Sequence, residues 1–175
     1  MKLIAIALAI CALASVSIAQ KNATMTVKLY FHNEKLNPEM EDCNKVFPTV
    51  RTIPKTTAVA RAALDELFKG VTEEEKSKGF WSFDPDATRG VIRSLNVKKG
   101  AAYLNFTKRA FETLGNATTS CGSGFFATIE ETLTQFPTIK KVYYAVEGNT
   151  NDFYEWVQVG ECPHGKKHCA KSNFK

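Results

Sequence analysis

From Thr24 to Phe31 the chain alternates: Met25, Val27, Leu29 and Phe31 are apolar, with Thr26, Lys28 and Tyr30 between them. A period of two puts the first set on one side of an extended chain, which predicts a half-buried strand. His32 to Asn44 is polar, contains Pro38 and reads as a loop. Residues 45–53 favour extended backbone, but Pro48 cannot donate to a ladder, so an edge strand is expected. The period then changes. Val59, Ala63 and Leu67 recur every four residues beside the row Ala60, Leu64 and Phe68, forming one apolar helical stripe. Pro54 with Thr56 or Thr57 opens that helix and Gly70 closes it. Arg61 and Asp65 pair across one turn on its wet side. Thr72-x-x-Glu75 is a capping-box pattern that opens a short second helix.

Residues 80–90 read as an aromatic loop around Asp84-Pro85-Asp86. Val91 to Val97 and Ala101 to Phe106 form a predicted hairpin turning at Lys99-Gly100, where Gly100 supplies a positive φ. Residues 107–114 are mixed and 115–124 are small and polar. Phe125, Ile129, Leu133 and Phe136 fall on one helical face, and Pro137 stops that helix. Ile139 to Val146 is a predicted strand, Gly148 to Asp152 a turn, and Phe153 to Val159 a last strand. A basic tail runs from Cys162. The order predicts an α+β fold: a small mixed or antiparallel sheet with two main helices packed on one face.

Residues 1–19 carry the marks of an export signal. Lys2 precedes an apolar run from Leu3 to Val16, and Ser17 and Ala19 place small residues at −3 and −1, so cleavage is expected before Gln20. The apolar run is too short to span about 30 Å of hydrocarbon. Ile10 is too bulky for lipid processing at Cys11. The expectation is a secreted or periplasmic chain with no stable membrane anchor after cleavage, residues 20–24 being a leader. The mature 156 residues suit one domain. Loss of Lys2 lowers the formal charge from +5 to +4. That excess is spread along the chain rather than clustered, which argues against a nucleic-acid reader.

Cys43, Cys121, Cys162 and Cys169 remain after cleavage, an even number in an exported chain, and so are disulfide candidates. Three pairings are possible; Cys43–Cys121 and Cys162–Cys169 are favoured. Cys162-Pro163-His164 and His168-Cys169 could in principle bind zinc, but adjacent His168 and Cys169 would both have to turn onto one ion. Ser120-Cys121-Gly122-Ser123-Gly124 lacks the preceding strand of a nucleophile elbow. His32 has no acidic partner nearby in sequence. Asp84-Pro85-Asp86 offers too few oxygens for calcium and reads as a proline-anchored turn. No catalytic residue, metal site or cofactor is expected. Tyr30, Tyr103, Tyr143, Tyr154, Trp81 and Trp156 are candidate partner contacts, with Trp81, Tyr143 and Trp156 foremost.

Several strings resemble the GerMN family of sporulation and spore-germination domains. They are Ala60-Arg61-Ala62-Ala63-Leu64-Asp65-Glu66-Leu67-Phe68-Lys69-Gly70 with Thr72-Glu73-Glu74-Glu75-Lys76, the hairpin Ser94 to Val97 with Gly100 to Phe106, and Ile129 to Val142 ending at Gly148. The most specific piece is Thr132-Leu133-Thr134-Gln135-Phe136-Pro137. The resemblance covers residues 25–148 and leaves 149–175 as a C-terminal extension. It implies a ring-building-motif-like fold and a non-enzymatic envelope role in binding or assembly. The implied partners are an envelope protein or further copies of the chain, with cell-wall glycan as the alternative ligand. It also implies a bacterial source, so the sequons at Asn22, Asn105 and Asn116 are expected to carry no glycan.

Overall fold

The computed structural model describes residues 23–114, 121–162, 165 and 167–175. The expected signal and cleavage site, the leader up to Asn22, Asn116, Ser120, Pro163 and His164 lie outside the described residues.

The alternating segment is strand β1 (Thr24–Asn33), with Val27, Leu29 and Phe31 buried. It pairs antiparallel with β2 (Phe47–Pro54) in the register Thr24↔Pro54 to Phe31↔Phe47. Two residues of β3 (Phe80–Trp81) pair with His32 and Asn33, giving a three-stranded sheet in the order β2-β1-β3. A second sheet has the order β4-β5-β6. Here β4 (Ile92–Lys98) and β5 (Ala101–Phe106) form the predicted hairpin. Lys99 and Gly100 both adopt positive φ, as a two-residue hairpin turn requires. Strand β6 (Lys141–Val146) runs parallel to β5, so the chain must cross over between them. The strands thus divide into two small sheets, one antiparallel and one mixed, rather than forming one.

The reason for the division lies at the second edge of β1. Helix α1 (Val59–Leu67) and helix α5 (Ser123–Thr134) pack against β1 and against each other. The end of α5 occupies the place a neighbouring strand would take. Tyr30 N–H donates to Thr132 Oγ1 (3.1 Å). Lys28 N–H donates to Gln135 Oε1 (2.9 Å), and Gln135 Nε2 donates back to Lys28 O (2.7 Å). The Gln135 amide therefore pairs with β1 as a peptide group would. Leu29, Phe31, Leu64, Ile129, Leu133, Leu104 and Phe106 close the core beneath this seam.

Helix α2 (Glu73–Ser77) carries the predicted capping box: Glu75 N–H bonds Thr72 Oγ1 (3.2 Å) and Thr72 N–H bonds Glu75 Oε2 (2.7 Å). Arg51 on β2 ties this corner together. Its guanidinium bonds the Glu75 carboxylate and the carbonyls of Glu66 (3.2 Å) and Gly70 (2.6 Å).

Three expected segments differ. Asp84-Pro85-Asp86 opens a helical turn, α3 (Pro85–Thr88), because Asp84 Oδ1 accepts from Asp86 N–H (2.9 Å) and proline suits the first helical turn. The mixed segment contains a short helix, α4 (Arg109–Thr113). The expected last strand is helix α6 (Thr150–Trp156). Its aromatic and β-branched residues favour strands, but Asn149 caps it by accepting from Asn151 N–H (3.0 Å). Phe153, Trp156 and Val157 then reach the core at helical spacing.

Candidate protein-binding site

The face of the β4-β5-β6 sheet turned away from the helices is occupied by the C-terminal extension. Phe174 is buried there with Ala101, Tyr103, Tyr143 and Ala145 in a small second core. Its ring meets Tyr103 edge-on at 5.5 Å, and its carbonyl accepts from Ser94 Oγ (2.9 Å) and Asn105 Nδ2 (2.8 Å). His168 stacks on Tyr143 at 4.5 Å, and its Nδ1 lies 2.9 Å from the Tyr103 hydroxyl. Asn173 Nδ2 bonds the carbonyls of Lys167 and His168. A disulfide, Cys162–Cys169, closes this segment on itself, and a second, Cys43–Cys121, joins the loop after β1 to the chain entering α5. The cysteines are thus paired as favoured.

Of the candidate contacts, Tyr143 is buried beneath that extension. Trp81 is half-buried, with one face stacked on His32 at 4.5 Å. Trp156 packs edge-on against Phe111, Phe126 and Phe153. The structure does not bring the three together: Trp81 and Trp156 sit at opposite ends of a series of ring contacts through Phe83, Phe125 and Phe126, and Tyr143 belongs to the small second core. Asn105 is buried and its amide is engaged by Phe174 O and Gly148 N–H (2.8 Å), which leaves no room for a glycan.

Burial is the main influence on several titratable groups inside the domain. Burial holds the His32 imidazole below its usual pKa, with backbone bonds to Gly124 and Lys45 partly offsetting it. Burial also raises Tyr144, whose hydroxyl donates to Glu130 (3.0 Å), and pushes Tyr154 up to about 12. Both phenols stay protonated, and that of Tyr144 is the donor to Glu130. Among the described residues no group of three or more His, Cys, Asp or Glu side chains is placed to hold a metal ion. No helix among them is long and apolar enough to cross a membrane.

What the fold leaves available is backbone edge and a cleft. Both edges of β1 are engaged, by β2 on one side and by β3 and the end of α5 on the other. Lys28 and Tyr30 turn their N–H groups away from β2, so their partners Val50 and Pro48 face outward, and Pro48 and Pro54 remove donors from that outer edge. Helix α6 packs along β6, and the Tyr154 phenol hydrogen-bonds the backbone of Tyr144. Strand β4 ends the second sheet. Among the described residues no backbone bond from another element reaches Ile92 to Lys98 beyond the pairing with β5. Beside it opens a cleft of about 480 Å³, lined by the start of α1, Leu95, Val97, Phe136, Pro137 and Ile139. The periodicity of β4 was visible in the sequence; that it ends a sheet was not.

A family model described as Germane, sporulation and spore germination, matches residues 28–152. The tandem GerMN domains of the sporulation protein GerM from Bacillus subtilis are similar in structure, with a TM-score of 0.54 and 23% identity over 77% of this chain and 43% of that one. This chain therefore spans less than half of the tandem protein. The first GerMN domain of the same protein gives a TM-score of 0.46 and 18% identity over 81% of this chain and 90% of that one. No curated protein matches. With the family model covering most of the chain, this protein belongs to the GerMN family of sporulation and spore-germination domains.

Proposed function

We propose that the chain acts outside the cytoplasm, in the cell envelope, as a non-enzymatic domain that binds a protein partner in a process linked to sporulation or germination. The observation that carries the reading is the pairing of a sheet edge, uncovered among the described residues, with an apolar cleft, β4 beside Leu95, Val97 and Phe136. Main-chain pairing at an edge supplies affinity and a cleft for alternate side chains supplies selectivity, with no reactive group needed. Val97 stays 42% exposed at the cleft, apolar surface that a partner would remove from water. Two disulfides support an extracytoplasmic location, since such bonds persist in oxidising compartments. Family membership supports the link to sporulation or germination.

The test is chemical cross-linking of the mature protein in its native envelope, read by mass spectrometry. Reproducible cross-links to one envelope protein are expected. A protein-free result together with saturable calorimetric binding to cell-wall fragments would replace this reading with a glycan-binding one.

A further inference from the structure

We infer that the β4 edge receives an extended, acidic segment of the partner protein as an added strand, with its apolar side chains in the adjoining cleft. The inference rests on the protein-binding reading above and names the site and the chemistry of the occupant.

Geometry comes first. Antiparallel pairing with β5 uses one side of β4, and among the described residues no strand lies beside its other row of N–H and C=O groups. The other strand edges are managed: by proline on β2, by Thr132 and Gln135 on β1, and by α6 against β6. Strand β4 has a bulge between Ile92 and Ser94, but from Ser94 to Lys98 it pairs regularly with β5, and its other edge is a template for one more strand. Leu95 and Val97 sit two residues apart and therefore on one side of the sheet, the side facing the cleft. A strand laid along β4 would drop every second side chain toward Leu95, Val97 and Phe136.

Charge selects the occupant. The segment from Ile92 to Lys99 contains Arg93, Lys98 and Lys99 and no acidic residue. Arg93 is ion-paired with Glu147, and the Lys98 ammonium rests 5.3 Å above the Tyr103 ring. Lys99 is exposed at the hairpin tip. A second copy of the chain is a poor occupant. Each copy would bring Arg93, Lys98 and Lys99 to the shared seam with no acidic residue in either strand, so edge-to-edge pairing sets like charge beside like charge. With Arg93 held by Glu147, an acidic strand meets complementary charge at the hairpin end, at Lys98 and Lys99, which raises the encounter rate and favours one register.

The probe is a synthetic peptide, acetylated and amidated, alternating glutamate and valine over seven residues. It is titrated into the full mature protein and followed by amide resonances and hydrogen exchange. The expected result is saturable binding, new exchange protection confined to Ile92–Lys98, and weakening with salt. The same peptide with lysine for glutamate should not bind. Because Val97→Asp could disturb packing, the decisive variant is Lys98→Glu with Lys99→Glu on exposed positions. It should lose about tenfold in affinity for the acidic peptide and gain binding of the basic one. Protection elsewhere, or equal binding of both peptides, overturns the inference. A photo-reactive residue at Val97 or at Val50, used in the native envelope, separates the two levels. Cross-links from position 50 alone sink the β4 inference and leave the protein-binding reading standing. Cross-links from neither position defeat both.

Discussion

Replacing Phe174 by alanine tests whether the C-terminal extension is a structural layer of the domain. Phe174 is 1% exposed and closes the small core over Tyr103 and Tyr143. Truncating a fully buried phenylalanine costs about 3–5 kcal/mol. About 0.5–1.5 kcal/mol of that belongs to its edge-on contact with Tyr103. The upper end applies only if the extension stays seated. If it lifts, the loss stops at the free energy of docking. The bonds from Ser94 and Asn105 to the Phe174 carbonyl then go too, at about 0.5–1.5 kcal/mol each. Urea unfolding read by tryptophan fluorescence reports the domain rather than the extension. Trp81 stacks on His32 and Trp156 packs with Phe111, both away from this cluster. Amide exchange at Tyr103 and Tyr143 reports the cluster itself. A loss of stability under about 1 kcal/mol with unchanged exchange at those amides would refute the argument.

Thr132→Val, nearly isosteric at a fully buried site, removes the acceptor for Tyr30 N–H and should cost about 1–3 kcal/mol in urea unfolding. An unchanged midpoint would mean that the edge of β1 is satisfied in another way. Replacing Cys43 and Cys121 together by serine opens a loop of 78 residues. On the chain-entropy model the loss is about 4–5 kcal/mol, and a midpoint equal to that of the oxidised protein would refute it. Burial alone would raise the Glu75 carboxyl, but bonds from Arg51, Thr72 N–H and Thr49, with the Arg51 charge, hold it below the usual carboxylate range. Its contribution is therefore full above the unfolded value of about 4.3 and is lost as pH falls through the lower folded value. Glu75→Gln should flatten the acid limb of the stability profile; an identical limb would show that other carboxylates carry it.

Much of the architecture follows from local pattern. The alternation of β1, the four-residue stripe of α1, the Thr72/Glu75 capping box and the Lys99-Gly100 turn each rest on neighbours within a few residues. Their side chains decide backbone geometry before any distant contact forms. Helix α6 is where local preference misled: Phe153, Tyr154 and Trp156 favour a strand, and the Asn149 cap with packing on β6 decided for helix.

Other features exist only in three dimensions. Gln135 reads as an ordinary helix-end residue, and its pairing with Lys28 spans 107 positions. Tyr143 looks like a half-exposed strand aromatic until His168 stacks on it. Gly124 looks interchangeable with alanine, yet a Cβ there would meet the Cys43 carbonyl at 2.5 Å. The open edge of β4 likewise depends on which strands pair, a long-range choice that β4's own residues do not encode. Periodicity and capping are short-range and were determined by the sequence alone. Edges, covered faces and clefts belong to elements far apart along the chain, and tertiary packing decided them.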